Sequence, residues 1–159
     1  MGGSALDRHT VVVCVTDSHE SMEAVAVAAR LVSEKGELVL LHVLEVPLEV
    51  SLDGEPLPEE QGARRDAKEL LGRCRAVAER YGVRSRCALE RRHAAGPAIV
   101  DAAERYEADL LVLAGDGRFT RPGRLRMGQT ASCVLKHAAC RVMLLSRAEA
   151  PAPAMVKVA

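Results

Sequence analysis

Two kinds of apolar pattern alternate along this chain. Three continuous runs rich in Val and Leu predict strands that are buried on both faces of a sheet, and they cover residues 11–15, 38–46 and 108–115. A further apolar run, 141–146, predicts the last strand. A fifth segment, 83–90, alternates apolar and polar residues. That alternation predicts a strand with one face in solvent, which is typical of a sheet edge.

The segments between these strands carry apolar residues three or four positions apart, which is the spacing of one helix face. They predict helices over residues 22–32, 63–80, 98–106 and 128–137. We expect Gly36 to end the first helix in the left-handed conformation and Gly82 to follow the end of the second. Pro97 stands at the start of the third helix, where its missing N–H costs no hydrogen bond.

Strands and helices therefore alternate, and crossovers of this length predict right-handed β–α–β units. We predict an α/β fold, with an open five-stranded parallel sheet and helices on both faces. Residues 10–147 are expected to form this one domain, and residues 1–9 and 148–159 to be flexible termini. The stretch 47–60 is rich in Pro and acidic residues and is predicted to be a surface loop.

Composition excludes several classes of function. The chain has 22 Lys plus Arg and 22 Asp plus Glu, so it lacks the basic excess that generic nucleic-acid binding needs. No stretch approaches the roughly 18 consecutive apolar residues of a membrane helix, and the N-terminus lacks a signal-peptide pattern. The five cysteines form no CxxC pair. We expect reduced thiols and a cytoplasmic protein without membrane or nucleic-acid partners.

Candidate binding residues follow the first and fourth strands, because open parallel sheets bind ligands beyond the carboxyl ends of their strands. Thr16 and Asp17 come directly after the first strand. The Asp17 carboxylate could accept hydrogen bonds from a ribose or from an adenine amino group. A plain helix cap is the alternative role for this residue.

The loop after the fourth strand favours a phosphate group. It contains Gly115, Gly117 and Arg118, and Gly128 stands where the last helix begins. Small residues let a phosphate approach the backbone, while a helix N-terminus and arginine side chains offer it donors. A solvated loop in an arginine-rich protein is the alternative.

Several segments, taken in order, resemble the universal stress protein family. They are the Val-rich first strand that ends in Asp, LLHV in the second strand, GPAIVDAA, ADLLVLAGDG and GQTASCVLKHAACRVMLL. Together they span residues 10–147. The resemblance implies a Rossmann-like fold of the adenine nucleotide alpha hydrolase type, a stress-response or regulatory role, and binding of ATP or another adenine nucleotide. It also implies a homodimer paired through the C-terminal strand, and Mg²⁺ only if a triphosphate is bound.

Nucleotide-binding members of that family carry G-x2-G-x9-G-[ST] after the fourth strand, and this sequence departs from the motif. The first glycine falls on Ala114, and ten residues instead of nine separate Gly117 from Gly128. Gln129 replaces the Ser or Thr, although Thr130 is next. The resemblance carries over, as candidate nucleotide-binding residues, Asp17, Val43 through its backbone, Gly117, Gly128, Gln129 and Thr130.

Two other functions stay open. A related enzyme would need a GxGxxG, HxGH or SGGxDS motif after the first strand, and none is present there. We therefore assign no catalytic or metal-binding residue and expect at most slow nucleotide hydrolysis. His19 could act as an acid or base beside Asp17, but an exposed loop histidine is the commoner case. The other alternative is an interaction module of the same fold with a degenerate nucleotide site.

Overall fold

The computed structural model describes residues 9–114 and 128–146, together with the backbone of 118–121 and 124–126. The strands in these ranges are β1 (Thr10–Cys14), β2 (Glu37–Glu45), β3 (Ser85–Arg92), β4 (Leu110–Ala114), β5 (Arg118–Arg121), β6 (Arg124–Arg126) and β7 (Arg141–Leu145). The helices are α1 (His19–Leu31), α2 (Glu60–Arg80), α3 (Ala95–Arg105) and α4 (Gln129–His137). The termini predicted to be flexible lie largely outside the described residues.

Five strands form one sheet in the order β3–β2–β1–β4–β7, and every neighbouring pair is parallel. This order confirms the predicted α/β fold and places both β3 and β7 at edges. The chain builds the sheet outward from β1 in one direction and then, starting with β4, in the other. The boundary between β1 and β4 is therefore the topological switch point, where folds of this class bind ligands.

The core has two layers, one on each face of the sheet. Alternate residues of β1 belong to opposite layers: Val11 and Val13 pack with α1 and α2, and Val12 packs with α3 and α4. All three valines are fully buried. Continuous apolar strands are required because helices cover both faces, which explains why the Val- and Leu-rich runs predicted the central strands correctly.

Helix α4 lies unusually close to α3 at one point. A Cβ added at Gly96 would stand 2.8 Å from both Cβ and Sγ of Cys133. The glycine therefore permits the close approach of the two helices, in addition to preceding Pro97 at the start of α3. The N-terminus of α4 borders the candidate site described below.

Several local predictions need correction. The segment 116–127 was predicted to be a loop, but β5 and β6 form an antiparallel pair within it. Helix α1 ends at Leu31, and Gly36 has no positive φ. Helices α1, α2 and α3 begin at His19, Glu60 and Ala95, each three residues before the predicted start. The predicted end of α2 before Gly82 is confirmed, and Gly82 has a φ of 68° there.

Candidate functional site

A cleft of about 700 Å³ opens where β1, β2 and β4 end, at the topological switch point. Helices α1, α3 and α4 turn their N-terminal ends toward it. The cleft brings together six of the predicted site residues: Thr16, Asp17, Val43, Gly128, Gln129 and Thr130. The predicted residues Gly115 and Gly117 lie outside the described part of the chain, and Arg118 is described only as the first backbone position of β5.

Hydroxyl groups hold the loop between β1 and α1. Ser18 is the N-cap of α1 and accepts a hydrogen bond from the Ser21 N–H at 3.2 Å. Ser21 is fully buried, and its Oγ accepts from the Thr16 N–H at 2.8 Å. The Ser18 hydroxyl also donates to Ser21 Oγ at 3.1 Å. These bonds satisfy the loop backbone and fix the position of Asp17 between them.

Asp17 is not the helix cap, since Ser18 has that role. The Asp17 carboxylate is 85% exposed and meets Arg73 of α2, whose Nη2 lies 3.2 Å from Oδ1. An ion pair between two exposed side chains is weak and exchanges readily. Asp17 therefore remains available to a ligand hydroxyl at the mouth of the cleft.

The backbone of β2 offers a second set of polar groups. On the β1 side, Leu41 O accepts from the Val15 N–H at 2.8 Å. On the β3 side, the Val46 N–H donates to Arg92 O at 2.9 Å. Since successive residues of a strand face opposite neighbours, the N–H and C=O of Val43 face the β1 side, as those of Leu41 do.

Strand β1 ends before it reaches Val43. In a regular parallel ladder, the Val15 carbonyl would accept from the Val43 N–H, but His42 Nδ1 lies 2.7 Å from that oxygen. Within the described residues, Val43 therefore has a donor and an acceptor, side by side, that face the cleft without a strand partner. The same contact gives the half-buried His42 ring a hydrogen-bond partner.

Three helix N-termini border the cleft, and they differ in how they are capped. Ser18 caps α1, and the Ala95 N–H of α3 donates to Glu45 Oε1 at 3.0 Å. The N-cap of α4 is Gly128, which has no side-chain cap. The first N–H groups of α4 and the positive end of its dipole are thus open toward the cleft, an arrangement that suits an anion.

Nothing in the packing or backbone of Gly128 requires a glycine. Its φ is −65°, which any residue adopts, and apart from its chain neighbours an added Cβ would meet no atom of the described residues within 4 Å. As far as the structure describes the chain, the space in front of the α4 N-terminus is therefore open. A ligand that occupied this space would give a physical reason for the small residue.

The floor of the cleft is apolar. Cys14 and Val15 come from the end of β1, and Leu113 and Ala114 come from the end of β4. Burial raises the pKa of the Cys14 thiol to about 12, so it stays protonated and behaves as a small apolar group. A flat aromatic ring could lie on this floor with its polar edge directed toward Val43.

Two charged lining residues were not among the predicted site residues. Glu20 lies in the first turn of α1, and Glu45 ends β2. The position of Glu45 at the carboxyl end of a central strand was the available signal, because that sheet edge carries the binding loops. Glu20 looked like an ordinary acidic residue of a first helical turn.

His19 lies beside this cleft without forming a catalytic pair with Asp17. Its ring is 72% exposed, and its Nε2 lies 3.2 Å from Glu23, one helical turn further along α1. Among the described residues, His, Cys, Asp and Glu side chains form no group of three that could hold a metal ion. None of the described helices combines the length and hydrophobicity needed to cross a membrane.

Comparison with known proteins identifies the family. The model of the Universal stress protein family matches residues 7–146. Comparison with the curated proteins gives no match. The solved structures of similar fold include a universal stress protein from Archaeoglobus fulgidus, with 23% identity and a TM-score of 0.66. That alignment covers 85% of this chain and 96% of the other.

Two further similar structures contain adenine nucleotides. One is a universal stress protein in complex with cAMP, with 22% identity and a TM-score of 0.64 over 87% of this chain and 97% of that one. The other is a family member from Arabidopsis thaliana with AMP bound, with 20% identity and a TM-score of 0.57 over 87% of this chain and 91% of that one. At these identities the comparisons establish the shared fold.

Proposed function

The chain belongs to the universal stress protein family, and from that premise we propose that it binds an adenine nucleotide in the cleft between β1 and β4. Its role is then a regulatory one in a stress response, carried out by binding instead of turnover. The proposed location is the cytoplasm, in keeping with five cysteines that are all free thiols.

One observation carries this proposal: the unpartnered N–H and C=O of Val43 face the same cleft as the uncapped N-terminus of α4. An adenine ring presents an acceptor and an amino donor next to each other, which matches the pair on Val43. The apolar floor suits the ring faces. In this proposal the sugar lies between the Val43 backbone and the N-terminus of α4. The Asp17 carboxylate accepts hydrogen bonds from the sugar hydroxyls.

The phosphate end of the nucleotide belongs at α4 in this proposal. Gly128 leaves room for it, and the first N–H groups of α4, near Gln129 and Thr130, supply donors. Gly115, Gly117 and Arg118 remain proposed phosphate contacts. Mg²⁺ binds only together with a triphosphate, through the phosphate oxygens. The ligands of the two related complexes, cAMP and AMP, support the choice of an adenine nucleotide.

We also propose a homodimer paired through β7. This strand is an edge of the sheet, and its residues after Arg141 are apolar and half-buried in the single chain. An unpaired apolar edge is an aggregation liability that pairing across a two-fold axis removes.

The test of nucleotide binding is to denature freshly purified protein and identify the released small molecules by mass spectrometry. Titration calorimetry with cAMP, AMP and ATP on the emptied protein gives affinity and stoichiometry. A near-stoichiometric adenine nucleotide, or binding of any of the three at micromolar concentration, is the expected result. No released nucleotide and no binding heat would refute the proposal.

An interaction module with a degenerate site is the second candidate. The loop between β2 and α2 favours it, since Leu48 is 81% exposed there. This loop is held in place by Arg91, which donates to the carbonyls of Ser51 at 2.8 Å and Leu52 at 3.1 Å. The same calorimetry separates the two candidates, because the module predicts no heat with any nucleotide.

A further inference from the structure

The charged groups that line the cleft all have the same sign. Asp17, Glu20 and Glu45 contribute carboxylates, and no Lys, Arg or His side chain lines the cleft within the described residues. Asp17 is offset by Arg73 at 3.2 Å. Neither Glu20 nor Glu45 forms an ion pair with a cation in the described part of the chain.

Glu45 has a further effect on an anionic ligand. Its Oε1 accepts from the Ala95 N–H at 3.0 Å, so the carboxylate already occupies the N-terminal end of α3. That helix end would otherwise be a second position for a phosphate group. Of the three helix ends that border the cleft, α4 alone has no side-chain cap among the described residues, so α4 is the one helix end left for a phosphate group.

Glu20 acts by charge alone. It lies in the first turn of α1 and is half-buried beside the capped end of that helix. Its carboxylate therefore adds negative charge to the lining of the cleft. Each additional phosphate on a ligand adds negative charge beside carboxylates that have no cationic partner among the described residues, and this costs binding free energy.

We infer that Glu20 and Glu45 are specificity-determining residues, which restrict the cleft to adenine ligands with no more than one phosphate group when no divalent cation is present. This inference rests on the proposed adenine-nucleotide function and concerns the charge of the ligand that the site prefers. Adenosine, AMP and cAMP are the preferred ligands, and metal-free ATP is disfavoured by about tenfold or more at low salt.

The experiment is titration calorimetry at low salt with EDTA, using adenosine, cAMP, AMP, ADP and ATP. The variants are Glu20→Gln and Glu45→Gln, which remove charge but keep shape. In Glu45→Gln the amide oxygen of the new side chain can still accept from the Ala95 N–H. Each variant is expected to improve ATP affinity by about two- to tenfold while changing adenosine affinity little. Glu23→Gln is the matched control, since Glu23 lies on the same helix as Glu20 but outside the cleft lining.

Salt provides a second measurement on the unmodified protein. Raising the ionic strength screens like-charge repulsion, so the difference between AMP and ATP affinity is expected to shrink. The charge inference is wrong if metal-free ATP binds as tightly as AMP. It is also wrong if Glu20→Gln and Glu45→Gln reduce the difference between AMP and ATP affinity no more than the control Glu23→Gln does. In both cases nucleotide binding itself stands. If no ligand binds, adenosine included, both the inference and the proposed function are refuted.

Discussion

Arg91 holds Glu60 through two hydrogen bonds of 2.8 Å each, from Nε to Oε2 and from Nη2 to Oε1. Both side chains are about nine-tenths buried, at 11% and 10% exposure. The third guanidinium nitrogen binds the backbone of the loop that precedes α2. One arginine on the edge strand β3 therefore fixes the first turn of α2 and the loop before it, and such bidentate geometry is the strong form of an ion pair.

This pair predicts a pH-dependent contribution to stability. The hydrogen bonds from Arg91 hold the pKa of Glu60 below its ordinary value of about 4.5. Since the folded state lowers this pKa, the stabilisation is fully present above the ordinary value and is lost as pH falls through the lowered one. Glu60→Gln should therefore reduce the melting temperature most near pH 7, and progressively less as pH falls below 4.5.

The control for this prediction is Glu37→Gln, which removes the carboxylate of a more exposed pair with Arg86. An exposed ion pair contributes little to stability, so the melting temperature of Glu37→Gln should match that of the parent protein at every pH. Parallel pH curves for the parent and Glu60→Gln would contradict the predicted linkage.

Gly96 predicts a steric effect on the packing of α3 and α4. In Gly96→Ala the new methyl group would start 2.8 Å from Cβ and Sγ of Cys133, so the helices must separate. We expect a loss of about 1–3 kcal/mol in the free energy of unfolding, as for other overpacked contacts. Gly72→Ala is the matched control in α2, where nothing lies within 4 Å, and it should stabilise by about 0.5–1 kcal/mol. Urea denaturation of both variants measures the difference, and equal effects would rule out the close contact.

Ser21 predicts an effect on both folding and binding. Its hydroxyl is buried and accepts from the Thr16 N–H, so Ser21→Ala leaves that donor without a partner. The expected cost is about 1–3 kcal/mol in unfolding free energy. Ser51→Ala, in an exposed loop, is the control and should leave the free energy of unfolding unchanged. In Ser21→Ala the nucleotide affinity should also fall, because the loop that carries Asp17 loses its anchor. Unchanged stability by urea denaturation would mean that the hydroxyl network contributes nothing.

The central strands were predictable from sequence because burial on both faces demands unbroken apolar runs, and Val11–Val13 satisfy that demand. The α1 end was not predictable in this way. Gly36 suggested a left-handed cap. Instead Val32 is the C-cap: its backbone is extended and its N–H donates to Ala28 O at 3.2 Å, so the cap lies four residues before Gly36. A glycine close to a helix end permits a cap without requiring one.

The pairing of β5 with β6 was missed although the sequence carried a signal. Short polar–apolar alternations stand on both sides of a Pro-Gly dipeptide, a residue pair typical of turns, and Phe119 and Leu125 are partners across the pair of strands. The glycine and arginine content of the segment suggested a phosphate loop instead. Six of the described lining residues were nevertheless among the predicted site residues, because parallel topology assigns the loops to one edge and the family resemblance selected positions such as Val43 and Gln129 within them. Glu45 was missed because its importance depends on a contact with Ala95, 50 residues later.

The edge position of β7 predicts self-association. Light scattering at micromolar protein concentration should give the mass of a dimer, about twice the 17.1 kDa of one chain. Met143→Lys introduces a charge into the apolar edge, since Met143 is half-buried there, and should shift the equilibrium toward monomer. Leu48→Lys is the control, because Leu48 lies in the exposed loop before α2. A monomeric parent protein at this concentration would contradict the proposed dimer.

We predict that replacing Gly128 by alanine weakens phosphate binding and leaves the fold intact. Gly128→Ala adds a methyl group that, apart from its chain neighbours, meets no atom of the described residues within 4 Å, and its φ is −65°, so only the helix cap changes and the cost is about 0.5 kcal/mol. The same methyl group would stand before the open N–H groups of α4, where we propose that the phosphate binds. We expect about tenfold weaker AMP binding by calorimetry, with adenosine affinity changed much less, because adenosine has no phosphate to displace. Equal losses for both ligands would assign the phosphate elsewhere. Gly62→Ala, on the exposed side of α2 and with nothing within 4 Å, is the control and should leave both affinities unchanged.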